Sequence, residues 1–176
     1  MGRAKATLPV GDATLLEWMV ARLGPSFTET LVCGAPAPRG ARAVADRRNA
    51  AGPVAGIEAA LVAMRTDRAF VLACDMPHAT AALGDLLVAR SLGHDAAVPR
   101  AAGRAQPTCA AYARSAGTKL AAYLDAGERR ATEALARLDV VYVDEPELAR
   151  EGVALTELDD LDTPADYDAF LASLRG

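Results

Sequence analysis

Two aspartates follow apolar segments of the kind that form strands, and a carboxylate in that position can hold Mg²⁺ on a polyphosphate. Asp75 comes just after the apolar run at residues 69–73, and Asp46 directly follows the short apolar segment at residues 41–45. Carboxylate oxygens are the ligands that Mg²⁺ prefers, and open α/β sheets bind ligands outside the carboxyl ends of their strands. Each aspartate could equally cap a turn or lie in a solvated loop, and the residues alone leave both interpretations open.

Three segments could contact the phosphates themselves. Lys5 is one of only two lysines in the chain, and Gly52 opens a predicted helix whose free amides would favour an anion. Arg129 and Arg130 lie in a turn between two predicted helices and could bind a phosphate through paired hydrogen bonds. Each segment also has an interpretation without phosphate binding. The lysine and the arginines could be solvated side chains, and the glycine segment could be a small-residue turn.

The remaining polar residues carry weaker signals. An acidic cluster at Asp159, Asp160 and Asp162 precedes the last predicted helix, where negative charge favours the helix N-terminus, and metal binding is the alternative. The two histidines are not paired at a metal-binding spacing. The three cysteines are an odd number without a CxxC pair, which argues against a disulfide framework or a four-cysteine zinc site and fits a reducing cytosol.

The elements that must position these residues alternate between strands and helices. The apolar run at 69–73 predicts a strand buried on both faces. The alternation predicts an α/β fold with a doubly wound, mostly parallel sheet, and we expect one domain over residues 1–176. Strands are predicted at 28–33, 41–45, 69–73, 95–99, 107–112 and 139–143, and helices at 13–23, 54–65, 79–92, 115–125, 131–138 and 163–174.

Charge and hydropathy exclude two classes of partner. The 19 basic and 23 acidic residues give a formal net charge of −4, whereas a general nucleic-acid binder would carry a basic field. No apolar run approaches the roughly 20 residues of a membrane span. We therefore expect a cytoplasmic protein that binds neither nucleic acid nor membrane.

Six segments in chain order resemble the molybdenum cofactor guanylyltransferase family, within the Rossmann-like fold of the nucleotidyltransferases. The resemblance implies transfer of GMP from Mg·GTP to the terminal phosphate of molybdenum-bound molybdopterin, with release of pyrophosphate. Molybdoenzymes and cofactor-delivery proteins would be further partners. The segments are MGRAKATLPVG at 1–11, GPVAGI at 52–57, ACDMP at 73–77, QPT at 106–108, AGERR at 126–130 and DTP at 162–164.

The resemblance also implies roles for individual residues. Lys5 would contact phosphate and act in catalysis, Asp75 would hold Mg²⁺ and act in catalysis, and Asp46 would contact the nucleotide. An ionised phosphate nucleophile needs no strong general base, so catalysis would rest on alignment and on charge neutralisation by metal and lysine. The residues implied to meet the pterin substrate are Arg129, Arg130, Asp160 and Asp162.

The sequence departs from the family pattern at its start. The family opens with a strand and a glycine-rich loop of the type LAGGxSxRMG, and this chain begins at the Met-Gly of that motif. We therefore expect the first, central strand to be missing, which would leave unpaired backbone groups on two neighbouring strands. Such a chain would be poorly stable or would close the gap by dimerisation or strand exchange. An upstream apolar, glycine-rich segment would raise its melting temperature and create GTP binding.

Three further departures concern single positions. Ala4 stands where an acidic residue usually precedes the lysine, and the segment 33–36 lacks the asparagine that often follows the second strand. The family's NxNTP is here Asp160-Leu161-Asp162-Thr163-Pro164, an aspartate form that also occurs in related cytidylyltransferases. Two alternatives therefore stand beside guanylyl transfer: a molybdopterin cytidylyltransferase, and a non-catalytic accessory protein that keeps the fold without the glycine-rich loop.

Overall fold

The computed structural model describes residues 4–45, 47–48 and 52–175 and has the α/β architecture that the sequence predicts. The α-helices are α1 Leu15–Leu23, α2 Gly52–Ala63, α3 Ala81–Arg90, α4 Ala116–Asp125, α5 Ala131–Ala134, α6 Glu145–Arg150 and α7 Pro164–Ser173. The strands are β1 Pro9–Val10, β2 Ala13–Thr14, β3 Leu31–Cys33, β4 Arg42–Val44, β5 Arg68–Leu72, β6 Ala96–Ala101, β7 Arg104–Ala105, β8 Cys109–Ala113 and β9 Val140–Val143.

The main sheet has the order β5–β8–β6, with β9 on the far side of β6 and the short β7 closing a hairpin with β6. Strand β8 runs antiparallel to both β5 and β6, so β5 and β6 point the same way, and β9 is parallel to β6. The carboxyl ends of β5, β6 and β9 therefore share one edge of the sheet, which we call the carboxyl edge. The amino ends of the same strands form the opposite, amino edge.

Strands β3 and β4 pair in parallel as a separate two-stranded sheet. Helix α2 packs against β3, β4 and β5 and so connects the two sheets. Within the described residues, no ladder joins β3 to β5, and β8 is the one ladder partner of β5. The strand predicted at 69–73 is present, and both of its faces pack against a core, Ala69 and Val71 on one side and Phe70 and Leu72 on the other. All five residues of β5 nevertheless remain partly exposed, because β5 is an edge strand among the described residues.

Alternating residues of the sheet face two separate cores. Ala96 and Val98 point towards α2 and α4, where Leu61 and Leu120 are buried. The residues of opposite parity point towards α3, whose Leu83 and Leu87 are buried. A third core joins the amino-terminal hairpin and α1 to α7, and its buried members are Leu8, Val10, Leu15, Met19, Leu161 and Phe170.

Several boundaries differ from the predicted ones for local reasons. Helix α1 begins at Leu15 rather than 13, because Thr14 is an extended N-cap in a capping box with Glu17 and pairs with Pro9 in the hairpin. The helix predicted at 131–138 ends at Ala134, and a 3₁₀ turn at Leu135–Arg137 follows it. The β1–β2 hairpin, β7 and α6 were not predicted.

Over the described ranges, no helix is both long and apolar enough to cross a membrane.

Candidate active site

Three charged side chains from distant parts of the chain meet at the carboxyl edge. Lys5 lies in a 3₁₀ turn, Lys5–Thr7, ahead of the hairpin; Asp75 follows β5; and Asp162 precedes α7. The Lys5 Nζ atom donates to Asp75 Oδ2 at 2.9 Å and to Asp162 Oδ1 at 2.8 Å. One ammonium group therefore bridges two carboxylates, at the edge where α/β sheets bind ligands.

Packing and backbone hydrogen bonds hold the three segments together. The amide of Leu161 donates to the carbonyl of Asp75 at 2.7 Å, which fixes the segment that carries Asp162 beside the end of β5. The Tyr167 hydroxyl donates to the carbonyl of Pro9 and ties α7 to the hairpin that follows Lys5. Buried Leu161 and Phe170 lie in the core beneath these contacts. A packed core therefore holds the three segments of the site together, although they come from distant parts of the chain.

Helix α7 starts as its sequence predicts. Thr163 accepts a hydrogen bond from the amide of Asp166, the Asp166 carboxylate accepts one from the amide of Thr163, and Pro164 is the first helical residue. A cap of this kind satisfies amides that a helix start leaves free. The cap also fixes the direction in which the chain enters the helix. It therefore fixes the position of Asp162, which comes just before the cap.

The charges of the site are strongly coupled. Burial by itself lowers the pKa of Lys5, but hydrogen bonds and Coulombic attraction from Asp162 and Asp75 outweigh burial and raise that pKa above its ordinary value. Lys5 is therefore an ammonium ion throughout the physiological range. Burial raises the pKa of Asp160, and the neighbouring charges of Asp162 and Asp75 raise it further.

The arrangement suits a divalent cation bound together with a phosphate ligand. Asp75 and Asp162 already hold a cationic group between their oxygens, and carboxylate oxygen is the donor that Mg²⁺ prefers. In the part of the chain that the structure describes, no group of three or more His, Cys, Asp or Glu residues could hold a metal alone. Asp75 and Asp162 are therefore the two carboxylates of the site that could hold a metal, and one or two carboxylates are the usual number for Mg²⁺ bound with substrate phosphates.

The second predicted aspartate, Asp46, lies outside the described residues. The arginines after it contact Glu58 of α2, a residue that the sequence analysis did not single out. Arg47 Nη1 lies 2.8 Å from Glu58 Oε1, and Arg48 Nε lies 3.9 Å from Glu58 Oε2. The Glu58 side chain is only 2% exposed, and a buried carboxylate needs such partners. Its polarity inside an apolar helix was the signal that could have found it.

The turn with Arg129 and Arg130 lies beside the start of α2. A Cβ atom on Gly52 would lie 3.9 Å from the carbonyl oxygen of Arg129. Arg129 Nη1 donates to the carbonyls of Leu124 and Glu128, and Arg130 Nη1 pairs with Glu133 at 2.8 Å. No contact that the structure records brings either guanidinium to the three charged residues of the site.

The two aspartates implied to meet the pterin have different surroundings. Asp162 pairs directly with Lys5, whereas the Asp160 carboxyl accepts a hydrogen bond from its own backbone amide and, among the described residues, forms no ion pair. The structure thus groups Asp162 with Lys5 and Asp75. In the sequence, the only sign of this grouping was that Asp162 comes directly before a helix-capping residue.

An α/β sheet with a lysine and two carboxylates at its carboxyl edge is compatible with a nucleotidyltransferase, and the family comparison shows that class. The family model for the MobA-like NTP transferase domain matches residues 1–141, and the chain belongs to that family.

Similar proteins agree with this assignment. A probable molybdenum cofactor guanylyltransferase of Pelotomaculum thermopropionicum is 29% identical over 170 residues, which cover 94% of this chain and 83% of the relative. One of Chloroflexus aggregans is 37% identical over 131 residues, or 70% of this chain and 63% of the relative.

Solved structures share the fold. Molybdopterin-guanine dinucleotide biosynthesis protein A of Archaeoglobus fulgidus superposes with a TM-score of 0.85 at 26% identity, over 99% of this chain and 92% of that one. The 2-C-methyl-D-erythritol 4-phosphate cytidylyltransferase of Thermus thermophilus reaches 0.72 at 21% identity, over 98% and 94%. The similarity to the cytidylyltransferase shows a shared fold alone.

Proposed function

We propose that this nucleotidyltransferase transfers GMP from Mg·GTP to the terminal phosphate of molybdenum-bound molybdopterin and releases pyrophosphate. The observation that carries the proposal is the Lys5 ammonium, held between Asp75 and Asp162 at the carboxyl edge of the sheet. The names of the similar proteins support the choice of GTP and of the molybdopterin acceptor.

The chemistry needs charge neutralisation more than proton transfer. An oxygen of the acceptor phosphate bonds to the α-phosphorus of GTP, the bond from that phosphorus to the bridging oxygen breaks, and pyrophosphate leaves with the electron pair. The attacking oxygen is already ionised, so no general base is required. Lys5 would neutralise the charge that builds up on the phosphates as the bonds exchange.

Asp75 and Asp162 would hold Mg²⁺, which when bound neutralises phosphate charge and orients the leaving group. Lys5 would then turn from the carboxylates to the phosphates, because ligand anions replace the partners that it has here. Asp46 would contact the nucleotide. Arg129, Arg130 and Asp160 are proposed to meet the pterin substrate.

The test is Asp75→Ala, compared with Asp159→Ala as a control. Asp159 is an exposed aspartate of the same acidic segment and makes no side-chain contact among the described residues. Losing a metal ligand should lower turnover by on the order of 1000-fold, while the control stays near wild type. Turnover is measured as pyrophosphate release, and folding by circular dichroism. A folded Asp75→Ala protein with near-normal activity would sink the proposal.

Cytidylyl transfer is the second candidate function, because Asp160-Leu161-Asp162 has the form that related cytidylyltransferases carry. Competition calorimetry with GTP and CTP in the presence of Mg²⁺ decides between the two nucleotides. We expect tighter GTP binding, and tighter CTP binding would put the cytidylyltransferase first.

A non-catalytic accessory role is the third candidate. It stays a candidate because the resemblance rests on segments other than the family's glycine-rich phosphate loop. GTP binding with Mg²⁺ by the chain extended with the family's upstream glycine-rich segment discriminates: a transferase must then bind GTP, whereas an accessory protein would not.

A further inference from the structure

The side chains of Arg100 and Tyr142 contact each other at the carboxyl edge, away from Lys5, Asp75 and Asp162. The guanidinium carbon of Arg100, near the end of β6, lies 3.6 Å from the ring centroid of Tyr142 on β9. The Arg100 Nη1 atom also lies 3.7 Å from Asp144 Oδ1, just after β9. Stacking and an ion pair together hold the guanidinium in one orientation.

The sheet fixes where this pair lies relative to Asp75. Strands β5 and β6 are separated by β8 alone, so their backbones lie about 10 Å apart at a strand spacing of about 4.8 Å. Leu72 at the end of β5 pairs with Cys109, and Pro99 near the end of β6 pairs with Val143. The ends of β5 and β6 therefore lie on the same edge, about two strand spacings apart, and Asp75 follows the first of them by three residues while Arg100 lies near the second.

Strand alternation sets which face of the sheet the pair lies on. Val98 and Tyr142 both contribute to the core under α2 and α4, and Arg100 follows Val98 by two residues. The turn with Arg129 ends α4 and therefore lies towards this same face. Arg100 and the turn with Arg129 thus lie towards the same face of the sheet.

The Arg100 side chain is partly accessible to a ligand. Tyr142 covers one face of the guanidinium, yet 40% of the Arg100 side chain is exposed. A guanidinium is planar and weakly hydrated and stacks well on aromatic rings, so its second face suits another flat, electron-rich ring. A lysine could not form such a surface, because an ammonium group has no plane.

Further contacts fix the loop around Arg100. The β6–β7 turn places Ala102 at φ +49°, a left-handed conformation, and its amide donates to Glu145 Oε1 at 2.6 Å. The Tyr112 hydroxyl donates to the carbonyl of Pro107 at 2.7 Å just beyond the hairpin. The surface is therefore prearranged, which lowers the entropic cost of binding a rigid ring.

We infer that the Arg100–Tyr142 stack is the platform on which the pterin ring of the acceptor lies. The inference rests on the proposed function, which places the acceptor phosphate at Lys5 and Asp75. The acceptor must then extend along the edge from that phosphate, and the β3–β4 side is left for the nucleotide. A ring system joined to its phosphate by a short arm can span the distance of about 10 Å between the two strands.

The experiment measures binding of phosphorylated 6-hydroxymethylpterin through the fluorescence of its own ring, without any turnover. Arg100→Ala and Arg100→Lys should each weaken binding about 10-fold, since both remove the plane and the second keeps the charge. Arg104→Ala is the matched control, because Arg104 lies on the same hairpin, is exposed and makes no side-chain contact among the described residues. The control should bind within about twofold of wild type.

A second readout separates this inference from the proposed function. In the full reaction, Arg100→Lys should raise KM for molybdopterin about 10-fold and leave KM for GTP unchanged. Pterin binding that is undetectable in wild type or equal in all variants, or weakened GTP binding in the Arg100 variants, would overturn the inference. Failure of the proposed function would appear instead as a folded Asp75→Ala protein with normal turnover, whatever Arg100 does.

Discussion

The two lysines of the chain stand at opposite edges of the same sheet, and their surroundings differ. Lys5 bridges Asp75 and Asp162 at the carboxyl edge, where those side chains are 25% and 66% exposed. Lys119 of α4 contacts Asp95 at 2.5 Å at the amino edge, where the carboxylate is 11% exposed. Asp95 also accepts a hydrogen bond from the amide of Asp139 at 2.8 Å.

The difference separates a binding arrangement from a structural one. Asp95 is buried and accepts a backbone hydrogen bond, so it joins β6 to the start of β9 and has little capacity left for a ligand. Asp75 and Asp162 share one ammonium ion and keep water-accessible oxygens, so a cation or a phosphate can enter without dismantling the sheet. The same pair of residue types is thus enclosed at one edge and water-accessible at the other, and we propose a structural role for the first and a binding role for the second.

Replacing each lysine in turn should give the largest effects and should separate the two edges. Lys5→Ala should lower turnover by about 100- to 1000-fold, because the group that neutralises phosphate charge is lost. Its free energy of unfolding should change by under about 1 kcal/mol, since exposed ion pairs contribute little.

Lys119→Ala should do the reverse, with a loss of about 1.5–3 kcal/mol of stability and normal turnover, because a hydrogen bond to a nearly buried charge is removed. Pyrophosphate release and urea unfolding measure the two quantities. Equal loss of turnover in both variants would contradict the separation of the edges.

The amino edge should lose its stabilising contribution in acid. Burial alone raises the pKa of Asp95, but hydrogen bonds from Lys119 and the Asp139 amide outweigh it and lower that pKa. The stabilisation is therefore complete above the unfolded value near 3.9 and is lost as pH falls through the lower folded value.

At pH 7, Asp95→Asn should cost about 1.5–3 kcal/mol, and the difference from wild type should shrink at pH 3 and below. Urea unfolding of both proteins at several pH values checks this. Asp67→Asn is the control, because the Asp67 side chain is fully exposed, and it should show almost no difference at any pH. A difference for Asp95→Asn that persists unchanged into acid would contradict the assignment.

The space between strand β5 and helix α3 should tolerate no added side-chain volume. A Cβ atom on Gly84 of α3 would lie 2.8 Å from Phe70 Cδ1 and 3.0 Å from Phe27 Cζ. Gly84→Ala should therefore cost about 1–3 kcal/mol, because two aromatic rings must shift.

Gly117→Ala in α4 is the matched control, since its Cβ would meet Leu61 Cβ at 3.4 Å and alanine favours a helix. Thermal unfolding compares the two variants, and we expect a lower melting temperature for Gly84→Ala alone. Equal melting temperatures would mean that α3 can move away from β5.

Amide exchange should show the smallest and most local difference. Strand β5, which leads to Asp75, pairs with β8 on one side, whereas β6, which follows Asp95, pairs with β8 and β9. Every second amide of β5 should exchange faster than the amides of Ala96 and Ala97, because it has no ladder partner. Uniformly slow exchange along β5 would mean that something pairs with its free edge.

Local sequence signals determined much of the secondary structure and the position of one site residue. Thr163 and Pro164 predicted the start of the last helix, because a hydroxyl cap and a proline at the first helical position act on the nearest amides. The apolar run before Asp75 predicted a strand that ends near that aspartate, which the structure confirms. The six-residue helix Glu145–Arg150 was missed, because it is too short for a helical period to show.

Only the tertiary structure decided which distant residues meet. Lys5 and Asp162 are 157 residues apart, and no local pattern states that they share a hydrogen bond. The apolar sequence of β5 is the same whether the strand lies at the centre or at the edge of a sheet, because hydrophobicity reports burial of faces and not the pairing of edges. Which carboxylate meets Lys5 at the carboxyl edge and which meets Lys119 at the amino edge depends on the direction of the strands, and that direction is fixed when the sheet assembles.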